Sequence, residues 1–276
     1  MRANALRIIN QGGRYLFYGL VLFFFLGPLS WLLLASVNPD PGFSWEIPQT
    51  FTLDNFVELF AESDLFVWMR NSLVLAGGTM VLTVLLATLA AYPLARVRFA
   101  GKTVFMYVLL LARVMPITSV IIPIFSIAVV LDLVNRFEGA ILLFTAMQLP
   151  ISLWIMKGFV DSIPVELEES AWLDGCNRMQ GLFYIVFPLM WPGIAVTALF
   201  AFLAAWSDFL IPLVLLRSPS TFPIAMGLFR AFNDLGNVNF GFLTSLAVVY
   251  SAPSILLYVF ARQYLIKGMT AGGVKM

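Results

Sequence analysis

Six long apolar stretches, separated by short polar ones, organise this chain. They run over about 15–37, 71–95, 103–130, 139–157, 189–216 and 241–262. About 20 mainly apolar residues in helical form cross a hydrocarbon layer of roughly 30 Å. The pattern therefore predicts six transmembrane helices in an all-α integral membrane protein. Together they leave no room for a second, soluble domain, so residues 1–276 are expected to form a single transmembrane domain. Pro116 and Pro123 are expected to bend the third span, Pro212 the fifth and Pro253 the sixth, because proline removes a helical N–H and crowds the preceding turn. The longest polar connection, 38–70, opens on the turn cluster Asn38-Pro39-Asp40-Pro41-Gly42. Within it Phe56, Leu59 and Phe60 recur at helical spacing over Asp54–Ala61. This predicts a short amphipathic helix, packed at the membrane surface or offered to an external partner.

Composition agrees and removes whole classes of function. The chain is 61% hydrophobic and 11% charged, far from the balance of a soluble domain. A net charge of +1 with no basic tract gives no footprint for nucleic acid. With no histidine, the chain cannot supply a Ser-His-Asp triad, a Cys-His pair or an HExxH zinc site. The lone Cys176 allows neither an intrachain disulfide nor a metal cluster, and reads as a small residue filling a loop. No Gly-rich Lys-Ser/Thr phosphate loop is present. No catalytic residue, metal ligand or bound cofactor is expected. The first apolar stretch follows Arg2, Arg7 and Arg14 like a signal peptide, but about 23 residues is too long for a typical h-region and Ala35-Ser36-Val37 is a poor cleavage site. It is expected to be a retained span.

Lysine and arginine beside short loops set topology. With six spans, one side holds Arg2, Arg7, Arg14, Arg96, Arg98, Lys102, Lys157, Arg178, Arg262, Lys267 and Lys275; the other holds Arg70, Arg136, Arg217 and Arg230. Eleven against four puts both termini, the 96–102 loop and the 158–188 segment in the cytoplasm. Arg113 falls inside the third span and takes no part in this count.

That cytoplasmic segment carries the strongest motif. Pro164 suits the first turn of a helix, and Glu166, Glu168 and Glu169 follow where the helix dipole favours anions. Leu167 and Ala171 share a face, with Ser170 alongside. Gly175 supplies a left-handed stop and Asn177 a cap for the next short helix, which carries Leu182, Phe183, Ile185 and Val186 before Pro188 turns towards the fifth span. The expected shape is a compact helix-turn-helix with a small-residue, partly acidic surface.

Glu169-Ser-Ala171, Asp174-Gly175, nine residues and Ile185-Val-Phe-Pro188 resemble the EAA loop of type I ABC-importer permeases. The resemblance fits the six-span layout over essentially the whole chain. Ser170 stands for the usual alanine and Phe187 for the usual leucine. It implies that Glu169, Ser170, Ala171, Asp174, Gly175, Ile185 and Pro188 couple the permease to an ATP-hydrolysing subunit. The ending Gly268-Met-Thr270-Ala271-Gly272-Gly-Val-Lys275 is similar to that of MalG-like carbohydrate permeases, and implies a tail, over 263–276, reaching towards the ATPase. Arg113-Val-Met-Pro116 and Trp206-Ser-Asp208-Phe-Leu-Ile-Pro212 are also similar to stretches of those proteins.

The resemblance implies a core permease over about 70–262 in a bacterial or archaeal inner membrane. Its implied partners are a second homologous permease, two ATP-binding subunits that use ATP and magnesium, an extracytoplasmic solute-binding protein and a carbohydrate. Glycerol phosphate or another small solute is the alternative cargo, and an ATPase-independent secondary carrier the alternative mechanism. Arg113 and Asp208, charges within apolar spans, must face protein or water. They either pair with each other or line the solute path. Trp206 either stacks on a sugar or packs the core.

Overall fold

The computed structural model describes residues 2–62, 64–233 and 238–273, with side chains over 13–61, 64–232 and 238–264. Helix α1 (Arg2–Ser36) is followed by a short α2 (Asp54–Glu62) and the long α3 (Leu65–Arg96). Next come α4 (Lys102–Val114), α5 (Ile117–Val130) and α6 (Phe137–Ser162). The polar segment forms α7 (Val165–Leu173), α8 (Arg178–Gly181), a π-turn over Leu182–Val186 and α9 (Phe187–Leu189). The chain continues through α10 (Trp191–Ser207), α11 (Leu210–Leu215), a 3₁₀ turn at Pro219–Thr221, α12 (Ile224–Asn233) and α13 (Phe240–Gly273).

Among the described residues, four unbroken helices are long and apolar enough to cross a membrane: α1 from Gly13, α3, α6, and α13 as far as Tyr264. Two bent pairs bring the number to as many as six. In the first, α4 and α5 meet at 99°; in the second, the Arg178–Leu189 run and α10 meet at 69°. The expected third span, 103–130, is thus two helices. Its break falls at Met115-Pro116, with Pro116 in extended conformation at the start of α5, whereas Pro123 stays inside α5. The expected fifth span is also broken, at Asp208-Phe209, four residues before Pro212. Proline has no N–H to bond the carbonyl four residues back, and its ring crowds that carbonyl. Pro253 leaves α13 continuous, and the helix runs on to Gly273 where a separate tail was expected.

The chain divides into two compact units. The first contains residues up to 63 and 230–252. Here α1 shows Phe23, Phe24 and Phe25 to the outside and buries none of its most apolar window, as a lipid-facing helix should. Helix α2 forms where its spacing predicts, but its inward face is Asn55, Phe56 and Leu59, with Phe60 outward. Asn55 sets that orientation: its amide donates to the Ser36 and Asn38 carbonyls at 3.1 and 2.8 Å. Gly241 lies so close that an added Cβ would be 2.2 Å from Asn55 Oδ1.

The second unit contains 64–229 and 253–276. Helix α3 packs on both α6 and α10, and α6 on α10. Ala87 and Ala91 of α3 let the helices approach, and the core is completed by Leu153, Met156 and Val160 of α6 with Val186, Met190 and Ile194. Thr79, Thr83 and Thr88 of α3, Thr145 and Ser152 of α6, and Thr197 of α10 are buried in the same bundle. Small residues of this kind allow close backbone approach in membranes, where apolar burial gives helices little mutual attraction. At the end opposite the polar segment, Asn135 adopts φ 61° and organises a loop. Its Oδ1 accepts from the Arg217 and Ser218 amides, each at 3.0 Å, and from the Thr221 hydroxyl at 3.1 Å. Asn135→Ala is expected to cost about 1–3 kcal/mol by leaving these donors unpaired. A thermal melt in detergent checks this; an unchanged midpoint would show that the loop is held elsewhere.

Candidate coupling site

The polar segment departs from the bundle as a short, well-terminated helix. Pro164 caps α7 from outside, in extended conformation, one position before its expected place in the first turn. At the other end Gly175 has φ +94°. Its N–H donates to the Trp172 carbonyl at 3.1 Å, and the Cys176 N–H donates to the Ala171 carbonyl at 3.0 Å. These are the paired bonds of a Schellman stop. A capping box then starts α8: Asn177 Oδ1 accepts from the Gln180 N–H at 2.9 Å, and Gln180 Oε1 accepts from the Asn177 N–H at 2.8 Å. The Arg178 guanidinium lies 5.8 Å from the Trp172 ring centroid, bracing the two helices. Gly181 passes under the same ring, where an added Cβ would sit 3.2 Å from Trp172 Nε1.

The inward face of α7 centres on a residue the motif does not emphasise. Glu168 is 0% exposed. Its Oε1 accepts from Arg96 Nε at 2.6 Å, and its Oε2 accepts from the Tyr92 hydroxyl at 2.8 Å. Arg96 also donates to the Ile163 carbonyl at 2.7 Å. One guanidinium therefore ties the end of α3 to the end of α6 and to α7. Each oxygen of the buried carboxylate has a donor, as a buried charge requires. The charge count could have signalled this partner, because Arg96 and three glutamates lie on one side of it.

The expected coupling residues separate by face. Glu169, Ser170 and Asp174 point outward together with Glu166, and Leu173 stands at the tip with 89% of its surface exposed. Ala171 is buried beside Glu168, and Leu167, expected on its face, is exposed. The reason is helical phase: positions 166, 169, 170, 173 and 174 form one stripe, whereas Glu168 and Ala171 face the bundle. Ile185 and Pro188 belong to the connection into α10; Ile185 is half-buried and Pro188 exposed. What the segment presents is thus an acidic helix face with an apolar tip.

The charges inside the spans make contacts other than with each other. Arg113 donates to the Met147 carbonyl at 3.0 Å and to Gln148 Oε1 at 3.3 Å. Asp208 Oδ1 accepts from the Ile211 N–H at 2.9 Å, capping α11 at the break. The salt bridges among the described residues do not include an Arg113–Asp208 pair. Trp206 is buried and stacks on Phe202 at 5.4 Å, the packing alternative for this residue. Of the C-terminal positions, Gly268, Thr270, Ala271 and Gly272 lie in the α13 backbone, with side chains outside the described set. Lys275 lies outside the described residues. No metal-holding group of His, Cys, Asp or Glu occurs among the described residues.

The fold is that of an ABC-importer permease. It superposes on a chain of the crystal structure of a bacterial ABC transporter involved in the import of the acidic polysaccharide alginate with a TM-score of 0.79, at 19% identity, covering 95% of this chain and 96% of that one. Residues 83–271 match the family described as binding-protein-dependent transport system inner membrane component. The chain belongs to this family. It is 32% identical over 279 residues to the maltodextrin transport system permease protein MdxG of Bacillus subtilis, covering 100% of both chains. It is also 33% identical to the arabinooligosaccharides permease AraQ of Halalkalibacterium halodurans, covering 94% of each, and 33% identical to the galactooligosaccharides permease GanQ of B. subtilis, covering 95% of this chain and 94% of that one.

Proposed function

We propose that this protein is the non-catalytic permease subunit of an ATP-driven importer for a sugar or oligosaccharide. It pairs with a second, homologous permease to enclose an alternating-access path. Two ATP-binding subunits hydrolyse ATP below it, and a solute-binding protein delivers carbohydrate from the opposite side. Both termini and the α7–α9 segment lie in the cytoplasm. The outward stripe of Glu166, Glu169, Ser170, Leu173 and Asp174 seats in the ATPase, and Arg96 with Glu168 transmits its displacement to α3. Arg113 and Asp208 lie along the solute path, and the 263–276 end reaches towards the ATPase.

The observation carrying this reading is the combination of an exposed acidic face and a buried ion pair on one short helix. A docking helix must be open on one side and fixed on the other, because a load applied to a loose helix moves only that helix. The names of the relatives support carbohydrate as the cargo.

The test is purification of the chain with its associated proteins, reconstitution into liposomes and uptake of labelled oligosaccharides. Uptake should require ATP, an ATP-binding subunit and a binding protein together. Uptake by this chain alone would establish a secondary carrier instead, and uptake confined to glycerol phosphate would change the cargo. Glu169→Lys, which reverses charge on the outward stripe without touching the buried pair, should abolish most ATP-dependent uptake while leaving the melting temperature within a degree or so, since surface changes usually stay within about 0.5 kcal/mol. Equal uptake by the variant would remove this face from the coupling path.

A further inference from the structure

We infer that the protein holds an anionic glycerophospholipid in a cleft between α4 and α6, at the end of the bundle that carries α7. The cleft has a volume of about 270 Å³. Its lining carries two ammonium groups, Lys102 and Lys157, and the Asp161 carboxylate paired with the second of them. Its floor is the buried Met106 and the half-buried Trp154, and the exposed Tyr107 ring lines it beside them.

Each charged group of the lining is already partly engaged, and the remainder is what matters. Lys102 Nζ donates to the Ala95 and Val97 carbonyls at 3.3 Å each, which are long bonds, and keeps its third proton free. Lys157 Nζ donates to Asp161 Oδ2 at 2.5 Å and is half-buried, and an ammonium has two further protons to donate. The lining therefore has one positive charge in excess. The floor is fixed: Trp154 Nε1 donates to the Met106 carbonyl at 3.2 Å, and its ring lies 6.3 Å from that of Tyr107.

An anion alone would meet the lysines and leave the floor wet, and a neutral acyl chain would leave the lysines unanswered. A phosphodiester joined to an acyl chain satisfies both. From Tyr107 an outward apolar track continues along the same side of α4 at i, i+4 and i+7, where Tyr107, Leu111 and Val114 are exposed. Such a track continues the route of a chain into the bilayer. Basic pockets between helices on the cytoplasmic side, where the leaflet is rich in anionic lipid, recognise headgroups in this way. Tryptophan and tyrosine at that depth suit the headgroup region. Assignment to the cytoplasmic leaflet rests on the proposed orientation; the chemistry of the cleft does not.

Gly158 supplies a clean test, since it lines the cleft and an added Cβ would meet nothing within 4 Å. Gly158→Met can thus fill the cleft without disturbing the helix contacts, and it favours the helix intrinsically. The full chain, purified with its associated subunits in detergent, is titrated with phosphatidylglycerol or phosphatidylcholine of the same acyl chains, and bound lipid is counted by native mass spectrometry. Phosphatidylglycerol should be retained in preference. Lys102→Gln and Lys157→Gln should each weaken its retention about fivefold. Gly158→Met should abolish retention at a melting temperature no lower than that of the parent protein.

Equal retention of both lipids, or undiminished retention by the stable Gly158→Met variant, would overturn the proposal. So would displacement of the lipid by inorganic phosphate, which would reveal a phosphate site that needs no acyl chain. Labelling of Arg98→Cys by an impermeant thiol reagent from outside the cell would reverse the orientation alone, leaving the lipid result to stand by itself.

Discussion

Glu168→Ala is expected to detach the α7 segment from the bundle and to give the largest stability loss of any single substitution in it. The carboxylate is completely buried, and the Arg96 side chain retains only 15% exposure. Removing one partner of a buried ion pair costs about 3–5 kcal/mol, because the surviving charge is left without either water or counter-ion. Arg96 keeps its bond to the Ile163 carbonyl and a little solvent, which places the cost at the lower end of that range. Tyr92 loses its acceptor at the same time. The melting temperature in detergent should fall, and the ATP-binding subunit should no longer co-purify. The double variant Arg96→Met, Glu168→Met separates these two effects. An apolar pair of similar volume often restores stability, so the bundle should melt normally while transport stays impaired, if the charged link is what carries displacement. Transport by the double variant at the original rate would reduce the pair to packing.

The motif contains Glu169 and not Glu168, and the reason the buried glutamate falls outside it is physical. The motif is a local pattern, and local patterns report helical phase, caps and stops: Gly175, Asn177 and the acidic start of α7 are all legible from neighbouring residues. Burial of Glu168 depends on Arg96, 72 residues earlier and on a different helix. The charge count puts Arg96 on the same side of the membrane as Glu166, Glu168 and Glu169, but it does not say which of the three it meets. The interruptions of the third and fifth spans follow the same division. A proline tells which carbonyl loses its bond, and Pro212 is answered by a break at Asp208. Pro123, Pro150 and Pro253 lie inside helices that continue through them. Neighbouring helices in a membrane can accommodate the freed group, and those neighbours are not in the local sequence. Trp206 illustrates the remaining ambiguity: its residue type suits both a sugar platform and a core, and only its burial against Phe202 separates them.

Gly175→Val is expected to uncouple transport by a route that involves no collision at all. An added Cβ at this position meets nothing within 4 Å, so the space is available. The conformation is not: φ +94° costs an L-residue about 1–2 kcal/mol, and a β-branched side chain tolerates it least. The chain can relieve this by giving up the two bonds from the Gly175 and Cys176 amides to α7. That frays the last turn, which carries Leu173 and Asp174 at the tip of the outward stripe. The Glu168–Arg96 clamp lies further back on α7 and should survive, so insertion and melting should change little. ATP-dependent uptake should nevertheless drop by at least about tenfold, since a misdirected tip engages the ATPase poorly and a loss of about 1.4 kcal/mol already makes that factor. Gly175→Asn is the control, because asparagine enters left-handed conformations readily and should retain most of the uptake. If the valine variant transports normally, the turn has no part in coupling. If asparagine fails as badly as valine, the surface at position 175, rather than its backbone, is what the ATPase requires.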